Sequence, residues 1–243
     1  MRINASTDVG LRHEQNQDCY KVGRLSDDSY WMILCDGMGG VSSGGEASFI
    51  TVNYLEQIVK DMLIDIVGDE QIKKFMLESI KRSNKMIYDL AYDMQSMLSM
   101  GTTIVMAIVR NATAYIVHAG DSRAYHLSKR NITQLTVDHS VVQELLQSGK
   151  ITEQQAKNHP NRNIITSALG IEPDLKLDYN EVKLSKGDYL LLCTDGLSNM
   201  VDDYAILDIV RDSEFFSSAE NLVKNALDRG GFDNVTAILF QQD

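Results

Sequence analysis

Proline is scarce in this 243-residue sequence, which contains only Pro160 and Pro173. No stretch rich in proline, glycine, serine or charge separates two differently patterned halves of the chain. A chain of this length could form one large domain or two small ones. The lack of a linker favours one domain. We expect one domain over residues 1–243.

Cysteine is also rare. Only Cys19, Cys35 and Cys193 occur, and an odd number at wide spacings does not suit a disulfide framework. This usage is typical of reduced thiols in cytosol. We interpret all three as small core residues because free cysteine is among the most buried residue types.

Basic residues are outnumbered, with 23 Lys and Arg against 34 Asp and Glu and a formal net charge of -11. Clustered Lys and Arg bind phosphate backbones, so this balance argues against a nucleic-acid partner. No apolar run approaches the roughly 18 to 20 residues of a membrane span, and the first residues begin no signal peptide. We therefore expect a soluble, cytoplasmic protein without membrane insertion.

The motifs of several well-known hydrolases are missing as well. The sequence has no Cys-x-x-x-x-x-Arg loop, no Gly-x-x-x-x-Gly-Lys loop, no Gly-x-Ser-x-Gly elbow and no His-Glu-x-x-His pair. These absences argue against thiol phosphatases, P-loop nucleotide hydrolases, serine hydrolases and zinc proteases. We expect no nucleophilic cysteine or serine.

The hydrophobic pattern indicates an α+β fold with helices covering an antiparallel core. The predicted strands are residues 31–35, 102–109, 114–119, 123–127, 175–182, 188–194 and 235–240. Of these, the three between residues 102 and 127 are predicted to form one meander. The predicted helices are residues 43–66, 70–95, 204–211 and 219–227, the first and last opened by the capping boxes Ser43-x-x-Glu46 and Ser217-x-x-Glu220.

Residues 141–163 interrupt the strand-rich half of the sequence. They are predicted to form two short helices, the second beginning at Thr152-Glu153-Gln154-Gln155. Insertions of this kind often form a flap beside a functional site. We expect such a flap over about residues 138–165.

Five aspartates lie beside predicted strands or turns: Asp18, Asp36, Asp121, Asp195 and Asp233. Each alone is typical of a turn. Together they are too many to be independent turns, and strand ends can bring such side chains into one cluster. Carboxylate clusters bind hard divalent cations, and Mg²⁺ takes only one or two carboxylates per ion.

Seven motifs resemble, in order and spacing, those of bacterial PP2C-type serine/threonine phosphatases of the PPM family. The resemblance extends from about residue 5 to the C-terminus. The motifs are Asn16-Gln17-Asp18, Asp36-Gly37-Met38-Gly39-Gly40, Gly120-Asp121-Ser122-Arg123, Thr136-Val137-Asp138-His139-Ser140, Asn158-His159-Pro160, Thr194-Asp195-Gly196-Leu197 and Asp233-Asn234-Val235-Thr236.

This resemblance implies a four-layer α-β-β-α sandwich, in which antiparallel helices flank two antiparallel sheets and a small flap subdomain is added. It also implies a centre of two Mn²⁺ or Mg²⁺ ions, with a third, weaker one. The implied reaction is hydrolysis of phosphoserine and phosphothreonine in proteins by metal-activated water. The implied partners are phosphorylated proteins, including a serine/threonine kinase and its substrates, and the chain is expected to be a monomer.

The resemblance also assigns metal ligands. Asp36 resembles the carboxylate that bridges both ions, and Gly37 resembles the residue whose backbone carbonyl is a ligand. Asp195 and Asp233 resemble the remaining ligands of the first ion. Asp121, together with Asp195, resembles the third-metal site of bacterial members.

The residues that handle substrate and protons are less completely assigned. Asp18 resembles the residue that holds metal-bound waters, but His13 stands where the family has its phosphate-binding arginine. Either His13 takes that role as a weaker donor or the adjacent Arg12 reaches in, and we expect His13 to face the site. The general acid is open: a metal-bound water, on the third ion at Asp121, is one candidate. His139 and His159 are weaker candidates, and both are expected to be structural.

Two other functions remain open from the sequence. A catalytically weak module that binds phosphoproteins is compatible with the altered phosphate-binding position. A two-metal hydrolase of small phosphate esters is compatible with the aspartates.

Overall fold

The fold is described from a computed structural model that covers residues 1–39, 43–93 and 100–243. Two antiparallel sheets form its centre. The first has the strand order β1 (Arg2–Asp8), β11 (Val235–Gln241), β10 (Tyr189–Cys193), β7 (Arg123–Leu127) and β8 (Ile132–Gln134).

The second sheet contains the longest buried strand. Its order is β2 (Asp18–Arg24), β3 (Tyr30–Met38), β5 (Ile104–Arg110), β6 (Thr113–Ala119) and β9 (Asp178–Lys183), with β4 (Gly101–Thr102) also paired to β3.

Seven helices are found in the described ranges, and none is long and apolar enough to cross a membrane. They are α1 (Ser43–Met62), α2 (Asp69–Asp93), α3 (Val141–Gln147), α4 (Glu153–Lys157), α5 (Asp195–Ser198), α6 (Asp203–Asp212) and α7 (Phe215–Asp228). A single 3-10 turn, Leu63–Asp65, follows α1.

Strand β3 shows how the layers stack. Trp31 and Ile33 pack with α1 and α2 on one face, whereas Met32 and Leu34 pack between the sheets on the other. Alternate residues of a strand point to opposite faces, so a continuous apolar run suits a strand covered on both sides. A third cluster joins the outer face of the first sheet to α5, α6 and α7. These clusters confirm the predicted four-layer α-β-β-α fold.

One predicted connection is wrong. Strands β5 and β6 pair as expected, but β7 leaves their sheet and pairs with β10 and β8 instead. The switch occurs at Gly120, whose φ of +108° is accessible mainly to glycine. Local sequence patterns therefore predicted where these strands lie but not which strand β7 pairs with.

The start of α7 is also corrected. The helix begins at Phe215 rather than at a Ser217 capping box, because the buried Phe215 ring packs in the core with β10 and α6. The predicted end of the second helix at residue 95, and Gly40 of the glycine motif, lie outside the described residues.

The insertion after β8 has a paired base. Ser140 and Ile165 form an isolated antiparallel bridge, and the Thr166 N–H donates to the His139 carbonyl at 2.8 Å. Between these points α3 and α4 project, and α3 has no buried residue. At α4 the Thr152 and Gln155 capping box forms as the sequence predicts.

Candidate metal centre

All five aspartates lie within two residues of a strand end. Asp18 and Asp36 lie directly opposite each other on β2 and β3. Asp195 follows β10 by two residues, Asp233 precedes β11 by two, and Asp121 follows β6 by two. Each of these carboxylates electrostatically influences at least one of the others, so the fold brings all five to one end of the sandwich.

Asp18 joins the two sheets through its side chain. Its Oδ2 accepts hydrogen bonds from Thr194 Oγ1 at 2.9 Å and Thr236 Oγ1 at 2.6 Å. Thr236 lies in β11 of the first sheet, and Thr194 directly follows β10 of the same sheet. The Oδ1 of Asp18 is buried and has no hydrogen-bond partner among the described residues. Burial is the main reason why the pKa of Asp18 is raised to about 7. An unpaired, buried carboxylate oxygen fits a site that receives water or a cation.

Asp36 is fixed through its backbone. Its N–H donates to Thr103 Oγ1 at 3.1 Å, while its carbonyl accepts from Thr102 Oγ1 and the Thr103 N–H, both at 2.9 Å. Thr103 Oγ1 also lies 2.8 Å from Ser122 Oγ, beside Asp121. This chain of hydroxyl groups holds two of the aspartate-bearing segments together.

Gly37 is required by close packing. A Cβ at this position would lie 2.3 Å from the Gly44 carbonyl oxygen at the start of α1. The Gly37 N–H donates to the Gln17 carbonyl at 3.1 Å, next to Asp18. The glycine thus lets α1 and the start of β2 approach the last residues of β3.

The protein offsets the charges at the site only in part, through Arg123, whose charge lowers the pKa of Asp121 and of Asp195 against the larger effect of burial. Burial first, and neighbouring carboxylates next, raise the pKa of Asp36 and Asp195 well above the usual range, and burial raises that of Asp121 to about 6. In residues 1–39, 43–93 and 100–243, no Lys or Arg forms an ion pair with any of the five aspartates. A crowded set of oxygen donors with no Lys or Arg ion pair among these residues fits Mg²⁺ or Mn²⁺ ligation.

His13 lies at the edge of this cluster. Its Nε2 is 3.3 Å from Asp233 Oδ1, whereas the Arg12 guanidinium lies over the Phe232 ring at 5.4 Å. Both residues belong to an irregular segment between β1 and β2, so strand alternation does not set their directions. The structure therefore places His13 beside a candidate ligand and Arg12 on an aromatic ring next to it.

The segment that carries His13 is pinned to the segment that carries Asp233. Asn234 accepts a hydrogen bond from the Gln17 N–H at 2.8 Å and donates to the Val9 and Gln15 carbonyls at 2.8 and 3.1 Å. A Cβ on Gly10, which has a φ of +76°, would lie 2.2 Å from the Asp233 carbonyl oxygen. His13 is consequently held in place by backbone contacts on both sides.

The other two histidine candidates make local contacts. His139 Nδ1 accepts from the Gly120 N–H at 3.3 Å, and its Nε2 lies 3.1 Å from Asp178 Oδ2. Its ring stacks on His118 at 4.7 Å, and His118 Nε2 lies 2.9 Å from the Val137 carbonyl. His159 Nδ1 accepts from the Asn161 N–H at 3.1 Å within the insertion.

Sequence reasoning gave no role to several residues that build the site. Thr103, Ser122, Thr194, Thr236 and Asn234 position the aspartates through the bonds described above. All but Thr103 stand within the seven motifs, so the motifs contained the signal. Their roles depend on contacts between distant segments, which spacing alone does not reveal.

Comparisons with known proteins identify the family. The family model described as Protein phosphatase 2C matches residues 11–233. The protein phosphatase PhpP of Streptococcus pneumoniae is 38% identical over 241 residues, covering 98% of this chain and 96% of that protein.

Solved structures are similar over their whole length. The serine/threonine phosphatase Stp1 of Staphylococcus aureus has a TM-score of 0.93 and 33% identity, covering 99% of this chain and 94% of that one. The PstP catalytic domain in complex with two manganese ions has a TM-score of 0.84 and 31% identity, covering 100% and 98%. This chain is a metal-dependent protein serine/threonine phosphatase, and it belongs to the protein phosphatase 2C family.

Proposed function

We propose that Asp36, the Gly37 carbonyl, Asp195 and Asp233 hold two Mn²⁺ or Mg²⁺ ions, and that Asp121 with Asp195 holds a weaker third. The observation that carries this assignment is the cluster of carboxylates without any Lys or Arg ion pair in the described ranges. The donor set is entirely oxygen, which suits these ions better than zinc or copper.

When bound, two such cations activate water for in-line attack on phosphorus and offset charge on the phosphoryl oxygens. The residues of the chain orient the water. Asp18 is held by Thr194 and Thr236 through Oδ2, which leaves Oδ1 free to accept a hydrogen bond from water at the site. We assign Asp18 the role of positioning that water.

His13 is the proposed donor to the substrate phosphate. Its position beside Asp233, and the stacking of Arg12 on Phe232, support this choice over Arg12. A protonated imidazole can donate to a phosphoryl oxygen, although it lacks the bidentate fork of arginine. The contacts of His139 and His159 leave them as structural residues in this proposal.

The partners, oligomeric state, location and domain bounds of the enzyme are also part of the proposal. The enzyme acts on phosphorylated proteins, and we infer that a serine/threonine kinase and that kinase's substrates are among them. We further propose a monomeric, cytoplasmic enzyme with one domain over residues 1–243 and a flap over residues 138–165. The paired base of that insertion supports the flap boundaries.

Phosphate release from a phosphothreonine peptide tests the metal assignment. The wild type should turn the peptide over with Mn²⁺ or Mg²⁺ and lose activity with a chelator. Asp36→Asn should lower kcat by at least about a hundredfold, because it removes the carboxylate proposed to bridge the ions. Asp61→Asn, which removes an exposed carboxylate on α1, is the matched control and should retain activity.

Two results would count against the proposal. Activity that survives both chelation and Asp36→Asn would refute the metal assignment. Equal turnover of nucleotides and phosphopeptides would favour a hydrolase of small phosphate esters.

A further inference from the structure

Arg12 and Phe232 form an exposed pair at the edge of the metal centre. The Phe232 side chain is 52% exposed although it directly precedes Asp233, and the Arg12 guanidinium lies 5.4 Å from its ring centroid. A guanidinium over an aromatic face is attracted by the ring quadrupole. The stacking therefore limits where the charged end of Arg12 can go.

The backbone beneath this pair is rigid. A Cβ on Gly230 would lie 2.6 Å from the Phe232 ring, so the ring packs closely over that glycine. The Leu11 N–H donates to the Gly231 carbonyl at 2.7 Å, which ties the segment of Arg12 to the segment of Phe232. The position of the pair is set by two joined segments rather than by one free loop.

The hydrogen-bonding groups of Arg12 are available. Within the described ranges its guanidinium makes no hydrogen bond or ion pair with another side chain, and it lies over the Phe232 ring. Arg has five N–H donors in a planar fork that matches a carboxylate. A free guanidinium is conspicuous here, because the chain carries a net charge of -11.

We propose that Arg12 and Phe232 form a subsite for an acidic side chain next to the phosphorylated residue of a protein substrate. The proposal rests on the proposed role of His13 at the phosphate. Neighbouring Cα atoms are about 3.8 Å apart in any chain, so a phosphate at His13 puts the adjacent substrate residues within reach of Arg12. The guanidinium then binds the carboxylate, and the exposed edge of the Phe232 ring contacts its aliphatic part.

Three phosphothreonine peptides that differ only in the residues flanking the phosphothreonine test this subsite. The flanking residues are glutamate, glutamine or lysine. For the wild type we expect kcat/KM to be about three- to tenfold higher for the glutamate peptide than for the glutamine peptide. Arg12→Glu should reverse the order and favour the lysine peptide. Phe232→Leu should reduce the preference by about half, because the ring no longer holds the guanidinium.

Arg130→Glu is the matched control. It makes the same charge change on the exposed turn after β7, at the opposite end of that strand from Asp121, and should leave the ranking of the three peptides unchanged. An unchanged ranking in Arg12→Glu, or the same reversal in Arg130→Glu, would overturn the subsite.

Fluorescence anisotropy of the same labelled peptides gives a second readout. Arg12→Glu should weaken binding of the glutamate peptide relative to the lysine peptide, whether or not turnover occurs. If no peptide is hydrolysed, the proposed function fails, but the binding order still decides the subsite.

Discussion

At the scale of single residues, hydrogen bonds hold the aspartates of the site in place, although no Lys or Arg of the described residues forms an ion pair with them. Asp18 accepts hydrogen bonds from the hydroxyl groups of Thr194 and Thr236. The backbone of Asp36 is hydrogen-bonded to Thr102 and Thr103. His13 is the exception, since its ring contacts the cluster only through Asp233. We propose that the strength of phosphate binding depends on His13, because it stands where the resemblance places the family's arginine.

Replacing His13 by arginine should tighten phosphate binding. Arginine is always charged and offers a bidentate fork, so inorganic phosphate should inhibit His13→Arg about three- to tenfold more strongly than the wild type. The inhibition constant, measured with the phosphothreonine peptide, is the readout. His159→Arg, in the insertion, is the control with the same chemical change and should leave inhibition as it was. Equal or weaker inhibition in His13→Arg would exclude His13 from the phosphate position.

At the scale of elements, strongly patterned segments were predicted well. The buried run of β3 and the stripe of α2 follow from hydrophobic period alone, and both are found in the structure. Strands β1, β2 and β8 were not predicted, because their residues are mostly half-exposed and lack clear alternation. The partners of β7 could not be predicted either, since pairing with β10 joins segments more than 60 residues apart.

The candidate site also has parts that could be predicted from the sequence and parts that could not. The five aspartates were predicted from their position at strand ends and in motifs, whereas the docking of the His13 segment, which includes Gly10, on Asp233 and Asn234 was not. That docking depends on main-chain geometry, which side-chain patterns do not encode. Gly10 gave no signal beyond being a glycine.

Gly10→Ala should therefore destabilise the protein and disturb the site together. A Cβ would lie 2.2 Å from the Asp233 carbonyl oxygen, at a φ of +76°. We expect a loss of about 2–4 kcal/mol in the free energy of unfolding, from strain and the close contact. Urea denaturation in the presence of chelator measures it.

Gly149→Ala is the matched comparison. Its φ is +69°, but nothing lies within 4 Å of the added Cβ, so only the conformational strain of about 1 kcal/mol should appear. If both variants lose the same stability, the contact between Gly10 and the Asp233 backbone does not constrain the fold.

At the scale of the whole molecule, a net charge of -11 coincides with a centre built from crowded carboxylates, of which Asp18 is buried and Asp36, Asp121 and Asp195 are half-buried. Burial raises the pKa of Asp121 to about 6 and that of Asp18 to about 7, above the value near 3.9 of an unfolded aspartate. The metal-free folded state thus binds more protons than the unfolded state between these values. The stability that these two carboxyl groups contribute is then fully present below about pH 4, and it is lost as pH rises through 6 and 7.

The metal-free enzyme should accordingly be less stable at pH 8 than at pH 5, by about 2–4 kcal/mol in the free energy of unfolding. Urea denaturation at both pH values with chelator is the measurement. Asp18→Asn should reduce the difference, because it removes one of the buried carboxyl groups. Mn²⁺ at about a hundred times its dissociation constant should return about 2.7 kcal/mol at pH 8, since it binds only the folded state. If metal-free protein is instead more stable at pH 8, the aspartates are not crowded and unbalanced as the structure places them.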